Sequence, residues 1–301
     1  MKNKAYILLA LASALWGFQP VVVKFIINEM NPPSLVSFRF LLLSSCLFIL
    51  MKLTGKNDFI PPKKCLLPLM IMGFCGVTLN NGAQFTGLEY STVANATLIV
   101  ATTPAITATL AFLFLKERLN FLQCAGIFIS IVGTLFLITN GNLEIILHNS
   151  FNIGDLLFFV AQASWVIYCL LSIRVMKTMS ILSMTAWAGI FGAIFIAIYG
   201  YFSSGLFIPD LSTTAEISFV YIILIGGVGA MMSWNIGVKN VGASTASIFL
   251  NIMPIVGIIT ASIFLNELMT INEVIGAIVI LMGVYITTHS EKVENILQRH
   301  V

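Results

Sequence analysis

Long apolar runs separated by short polar connectors set the pattern of this chain. A helix needs roughly 20 mostly apolar residues to cross a bilayer. Ten segments meet that requirement, near residues 4–27, 34–53, 65–86, 91–114, 120–139, 153–173, 182–202, 216–238, 243–265 and 271–288. None of the connectors is long enough for a soluble domain, and Pro32-Pro33 and Pro61-Pro62 punctuate two of them. The pattern predicts an all-α integral membrane protein with ten transmembrane helices. The start, MKNKAYILLALASALWG, is basic and then apolar, as a signal peptide is. No clear small-x-small cleavage site follows, so it reads as a retained first span.

The pattern also repeats. GLEYSTVANATLIVATTPAITATLAFLFLKE at Gly87–Glu117 recurs as GVKNVGASTASIFLNIMPIVGIITASIFLNE at Gly237–Glu267. Gly87, Ala96, Pro104, Ala111, Phe114, Leu115 and Glu117 meet Gly237, Ala246, Pro254, Ala261, Phe264, Leu265 and Glu267, every pair 150 residues apart. Gly126 and Gly133 continue the register to Gly276 and Gly283. Apolar helices share Ala, Leu and Phe by chance, but paired prolines, glutamates and glycines in one register indicate a duplicated unit. Residues 1–145 form the first repeat, and 146–301 the second, with a short tail.

Charge orients the spans. With the N-terminus cytoplasmic, 13 of the 15 Lys and Arg fall on the cytoplasmic side, and the other two, Lys24 and Arg39, sit near the outer ends of spans one and two. The outer loops hold Glu29, Glu89, Glu144, Asp210, Glu216 and Glu267 and no basic residue. Each repeat has five spans, an odd number, so the second enters the membrane upside down. Two inverted five-helix repeats can exchange shapes, which is what alternating access requires.

Composition agrees. Hydrophobic residues make up 58% of the chain and charged residues 9%, with mean hydropathy +1.00. Soluble domains carry about 25% charged residues, so lipid is the solvent here. A net charge of +3 is too small to point to nucleic acid. The five cysteines are scattered, without metal-ligand or disulfide spacing. No cofactor is expected; the partners are a small-molecule solute and the lipid bilayer, with oligomeric state open.

The chain resembles the EamA-type, ten-helix branch of the drug/metabolite transporter superfamily over residues 4–140 and 153–288. The resemblance is carried by SALWG at Ser13–Gly17, SFRF at Ser37–Phe40 and GLEYSTVANATLI at Gly87–Ile99. The Pro104-to-Glu117 run, GDLLFFVAQASWVIY at Gly154–Tyr168, the Pro254-to-Glu267 run and GAIVILMGVY at Gly276–Tyr285 complete it. The resemblance implies cytoplasmic termini, a central cavity between the halves, and carriage of small organic solutes, often export of amino acids or metabolites.

Polar residues inside spans are costly unless a partner or a water-filled cavity receives them. Trp16 and Gln19 lie on adjacent faces near Pro20, which loosens the helix, and Trp165 and Tyr168 stand at nearly matching places in span six. Asn80 and Gln84 share one face of span three, with Asn81 beside them. Asn95, Thr102 and Thr109, seven apart, would line one stripe of span four. Span eight offers Ser233, Trp234 and Asn235, and span nine Ser244, Ser247 and Asn251. Such stripes serve either as helix glue or as cavity lining. The lining candidates are Trp16, Gln19, Asn80, Gln84, Asn95, Trp165, Tyr168, Trp234 and Asn251; Trp187 reads as packing. Arg39 is expected to snorkel to the outer interface, with a substrate-carboxylate anchor as the alternative; Lys24 is a weaker case of the same. Glu117 and Glu267 read as end caps or interface pairs, or else as gating charges. Pro104 and Pro254 break the helix ladder at mid-membrane and make candidate hinges.

The mid-span positions hold no Asp, Glu or His, which proton-driven carriers use as relays. No metal cluster, phosphate loop or His-nucleophile pair suggests an enzyme, and no charge ring suggests a channel. The reading is a secondary transporter of small polar or zwitterionic metabolites such as amino acids. It works by alternating access in a bacterial cytoplasmic membrane, as an exporter or facilitator. The rival is an importer of a larger aromatic solute such as a nucleoside, vitamin or adenosyl compound.

Overall fold

The computed structural model describes residues 2–55, 58–90, 99–117, 119–142, 144, 152–208, 210–265 and 269–299. Most of those residues are helical, and there is no β-strand among them. The elements are α1 (Lys2–Lys24), α2 (Pro32–Leu53), α3 (Lys63–Gly73, continued by a π-helical turn Phe74–Leu79 and by Asn80–Tyr90), α4 (Thr103–Leu115) and α5 (Phe121–Ile138). Then follow α6 (Ile153–Val175), α7 (Ile181–Ser203), α8 (Thr213–Ile223, a π-helical turn Leu224–Gly229, Ala230–Val241), α9 (Ala243–Ser247, a 3-10 stretch Ile248–Asn251, Ile252–Leu265) and α10 (Ile271–Arg299). Nine of these, among the described residues, are long and apolar enough to cross a membrane, and α4 is a shorter apolar helix. This is a multi-pass membrane protein.

The duplication extends to local backbone detail. The π-turn Phe74–Leu79 recurs 150 residues on as Leu224–Gly229, between helical pieces of matching length. Asn120 and Gln123 form a reciprocal capping box at the start of α5, and Thr270 and Glu273 do the same for α10 at the same offset. Asn31 caps α2 by accepting from the Ser34 amide, and Pro32 and Pro33 fill its first turn. A proline there loses no intrahelical bond, so these two residues begin a span and do not belong to the connector.

The two halves meet through reciprocal contacts. A Cβ on Gly126 of α5 would lie 2.7 Å from the Gly283 carbonyl of α10, and one on Gly283 would lie 2.6 Å from the Gly126 carbonyl. Gly133 likewise abuts the Ile280 amide at 2.7 Å, and Gly276 the Leu137 Cα at 2.7 Å. Gly126 and Gly276 are repeat mates, as are Gly133 and Gly283, so the contact has the self-complementary form a two-fold axis imposes. Glycines allow this approach because lipid supplies no hydrophobic drive and close packing must hold membrane helices together. On the outside of the bundle, Phe112, Phe114, Phe128, Ile217 and Tyr285 are exposed, as a surface facing acyl chains requires.

Candidate functional site

Four aromatic rings converge from α1, α6 and α8. Trp16 meets Trp165 edge-on at 5.5 Å and Trp234 at 5.4 Å. Trp165 stacks on Tyr168 at 5.2 Å with 13° between planes, and meets Trp234 at 6.0 Å. Trp234 and Tyr168 are each 1% exposed, whereas Trp16 and Trp165 are half-buried. The cluster thus has a fixed floor and two rings with free surface. Beneath it the Asn235 amide donates to Tyr168 Oη at 3.1 Å and Thr185 Oγ1 at 2.9 Å, tying α8 to α6 and α7.

The π-turn of α8 supplies the next layer. A π-turn carries one surplus residue, so backbone carbonyls are released from the regular ladder, and such turns recur at functional sites. Trp16 Nε1 donates to the Gly226 carbonyl within that turn at 3.0 Å. Arg39 Nε donates to the Ile222 carbonyl just before it at 3.2 Å, and Arg39 Nη2 donates to Gln19 Oε1 at 2.9 Å. Arg39 is only 8% exposed. It therefore does not snorkel to the outer interface, contrary to the sequence expectation, because Ile222, Gln19 and the π-turn give it polar company inside the bundle. The π-turn's own backbone connects it to the indoles, since the Cβ position of Gly226 lies 3.4 Å from Gln19 Oε1.

The mate π-turn in α3 is followed by amides, Asn80 and Gln84, at the repeat positions of Ala230 and Trp234. Asn80 Nδ2 donates to the Ala161 carbonyl of α6 at 2.9 Å, and Gln84 Nε2 to Asn80 Oδ1 at 3.0 Å. Asn81 turns back onto the Val77 carbonyl of its own helix. Thr103 of α4 donates to Gln162 of α6 at 2.9 Å, both buried. The predicted Thr102 and Thr109 stripe does not face inward: Thr109 is exposed and bonds only to Ala105. The ladder breaks at Thr102, and helix restarts at Thr103 with Pro104 in its first turn, so the inward hydroxyls are Thr103 and Thr107. Pro254 similarly follows the 3-10 stretch of α9.

Asn251 directs its amide to another helix: it donates to Ser130 of α5 at 2.7 Å, and both are buried. Trp187 packs against Phe48 and Phe191 and donates to the Phe59 carbonyl. Glu117, at the end of α4, grips the start of α9: its carboxylate accepts from the amides of Ala243 and Ser244 at 3.2 Å each and from Ser244 Oγ at 2.7 Å. Arg174 ties the same end of α6 to the Phe114 carbonyl at 2.8 Å. Asn95 and Glu267 lie outside the described residues. Sequence reasoning missed Gln162, Thr185 and the π-turns. Gln162 stood out as an amide inside a span, whereas the turns left only the shared Gly76 and Gly226 as a trace.

At the opposite end of the bundle Glu29 accepts from the Ser212 amide and hydroxyl at 2.7 Å each, bridging the α1–α2 loop to the start of α8. These bonds, the hydroxyl's first, hold its carboxyl below the usual range. A hollow of about 340 Å³ is an apolar groove on α10 lined by Ile278, Leu281, Met282, Tyr285 and Ile286.

Comparisons with known proteins bear on the chain as a whole. The model of the EamA-like transporter family fits residues 3–139 and 152–289, one fit per half. The uncharacterized transporter YyaM of Bacillus subtilis is 29% identical over 280 residues, covering 93% of this chain and 92% of that protein. An uncharacterized transporter of Archaeoglobus fulgidus is 27% identical over 289 residues, covering 96% and 98%. A crystal structure at 17% identity superposes with a TM-score of 0.80 over 96% of this chain and 97% of that one, and so shares the fold. The chain, with its twofold match and its helices paired across the two halves, belongs to the EamA-like transporter family.

Proposed function

We propose that this protein is a secondary transporter that moves small polar or zwitterionic metabolites by alternating access, as a facilitator or exporter. One observation carries the reading. Rings from both repeats, Trp16 from the first and Trp165 and Trp234 from the second, converge beside a π-turn whose carbonyls hold Trp16 and Arg39. Interrupted helices at the interface of inverted repeats are where such carriers bind solute. Half-buried indoles clamp the apolar part of a solute, and Gln19, Asn80, Gln84 and Asn95 orient its polar groups. Pro104 and Pro254 are the proposed hinges, where the symmetry-related helices α4 and α9 lose their ladder.

We assign both termini and the Glu117 end to the cytoplasm of a bacterial cell, from the distribution of Lys and Arg. Cysteines placed at Thr54 and Asn142, in a cysteine-free background, should label from inside and outside respectively; the reverse would overturn the orientation. The mid-span positions carry no titratable acid or imidazole, so we propose that the solute gradient alone drives flux. Proteoliposomes loaded with the proteinogenic amino acids should take up a labelled member by counterflow. With potential clamped and sodium absent, a pH gradient should produce no accumulation. Failure of counterflow across the amino acids and common polar metabolites refutes the transport reading. Uphill accumulation refutes the facilitator and redirects attention to Asp155, Glu117 and Glu267.

A further inference from the structure

We infer that Arg39 is the anchor for a carboxylate on the transported solute, an inference that rests on the transport reading above. Arg39 is buried in α2, and its two hydrogen bonds go to neutral acceptors, the Ile222 carbonyl and Gln19 Oε1. No carboxylate among the described residues pairs with it, and Nη1 makes no hydrogen bond. Buried charges in folded proteins are paired or coordinated. Apart from the face of the Phe40 ring, 5.3 Å from the guanidinium carbon of Arg39, nothing among the described residues offsets its charge, and with part of its fork unused it is poised for an anion that arrives from elsewhere.

The matching place in the other half carries no charge. Counting from the caps Asn31 and Ser180, the position in α7 that matches Arg39 is Ala188. The mate helix packs with a methyl group there, so the arginine is a departure from the symmetry of the fold. Its place is also right. Gln19 and the Gly226 turn lie between the guanidinium and Trp16, so one solute can span both features.

The chemistry selects the anion. The planar fork of Nη1 and Nη2 matches a carboxylate in bidentate geometry. One positive charge is neutralised by one negative charge, whereas a phosphate dianion would leave a net negative charge buried in the bundle. The expected solute therefore pairs a carboxylate with an apolar or aromatic body, with or without an amine.

Thermal melts of purified protein test this with matched probes: phenylacetate, hexanoate and L-leucine, their three amides, and phenyl phosphate. A ligand that binds the folded form raises its melting temperature by mass action. The wild type should be stabilised by one or more of the carboxylates and by none of the amides. Arg39→Gln should melt cooperatively without ligand and lose that stabilisation. Arg39→Lys, which keeps the charge without the fork, should raise the Kd about tenfold, and it serves if Arg39→Gln does not fold. Equal stabilisation by acid and amide, equal binding by wild type and both variants, preference for phenyl phosphate, or no response to any carboxylate overturns the inference. Counterflow of neutral solutes alongside that last result would leave the transporter standing and remove only the anchor.

Discussion

Glu117→Gln keeps the shape of the side chain and removes its charge, at the point where α4 grips the first turn of α9. The carboxylate accepts three hydrogen bonds, from the Ala243 and Ser244 amides and from Ser244 Oγ. Hydrogen bonds to a charged group contribute roughly 1.5–3 kcal/mol when well buried, and a carboxylate at a helix N-terminus adds about 0.3–1 kcal/mol. Glu117 is half-buried, and glutamine retains one carbonyl acceptor, so about 1–3 kcal/mol is the expected loss. The contact joins α4 to α9, so the loss falls on any state in which these two helices meet at this end. At 1.4 kcal/mol per factor of ten, the open population rises by about 5- to 150-fold. Ser247, 2% exposed and one turn deeper in α9, reports it. As cysteine in a cysteine-free background, it should react with a membrane-impermeant maleimide applied from the Glu117 side. The rate should be slow in the parent and faster by that factor with Glu117→Gln. Ser244→Ala, which removes the shortest of the three bonds without touching the charge, should give an intermediate rate. Equal rates in all three would show that this carboxylate does not hold the end shut, and the reasoning would fail.

Gly126→Val places a side chain where a Cβ already lies 2.7 Å from the Gly283 carbonyl, so α5 and α10 must separate; a cost of about 1–3 kcal/mol should lower the melting temperature, while Gly82→Ala, with nothing within 4 Å, should not. Glu29 is ionised more readily in the folded protein than in the unfolded chain, so its bonds to Ser212 stabilise above the ordinary carboxylate range and fade as pH falls through its lowered folded pKa. The melting difference between wild type and Glu29→Gln should therefore be present at pH 7 and shrink as pH falls through the lowered folded pKa; a difference that is the same in neutral and strongly acidic solution would refute it. Trp165→Ala removes contacts with Trp16, Tyr168 and Trp234, and it and Asn95→Leu should abolish counterflow while a single cooperative melt remains. Normal transport by both would place the solute on other faces.

What the sequence made legible followed from rules that act over one turn or one bilayer thickness. Apolar run length gave the spans, and paired Pro, Glu and Gly gave the repeat. What stayed hidden depends on partners far along the chain. Hydropathy registers the cost of Arg39 but not the carbonyl 183 residues away that receives it. The stripe of Asn95, Thr102 and Thr109 assumed an unbroken ladder, and the turn at Thr102 shifts the face by one position, to Thr103 and Thr107. Trp16, Trp165, Trp234 and Tyr168 were each recognisable as intramembrane aromatics, but their convergence belongs to the packing of α1, α6 and α8. Glu117 was legible as an end cap because its position at a span terminus is local; the helix it caps, α9, is not its own.

The paired π-turns have a mechanical corollary. Each holds one residue more than a regular helix needs over the same rise, a small reserve of slack wound into the backbone. An α-helix advances about 100° per residue. Taking up that slack would swivel Ala230–Val241, with Trp234 and Asn235, by about a quarter turn against Thr213–Ile223, while the chain keeps its length. A disulfide across the interface of α6 and α8, formed in one setting and not the other, would detect the swivel; identical cross-linking with and without solute would exclude it. Because the same slack stands in α3 of the oppositely oriented half, the molecule would have two such swivels, related by the inversion of the repeats.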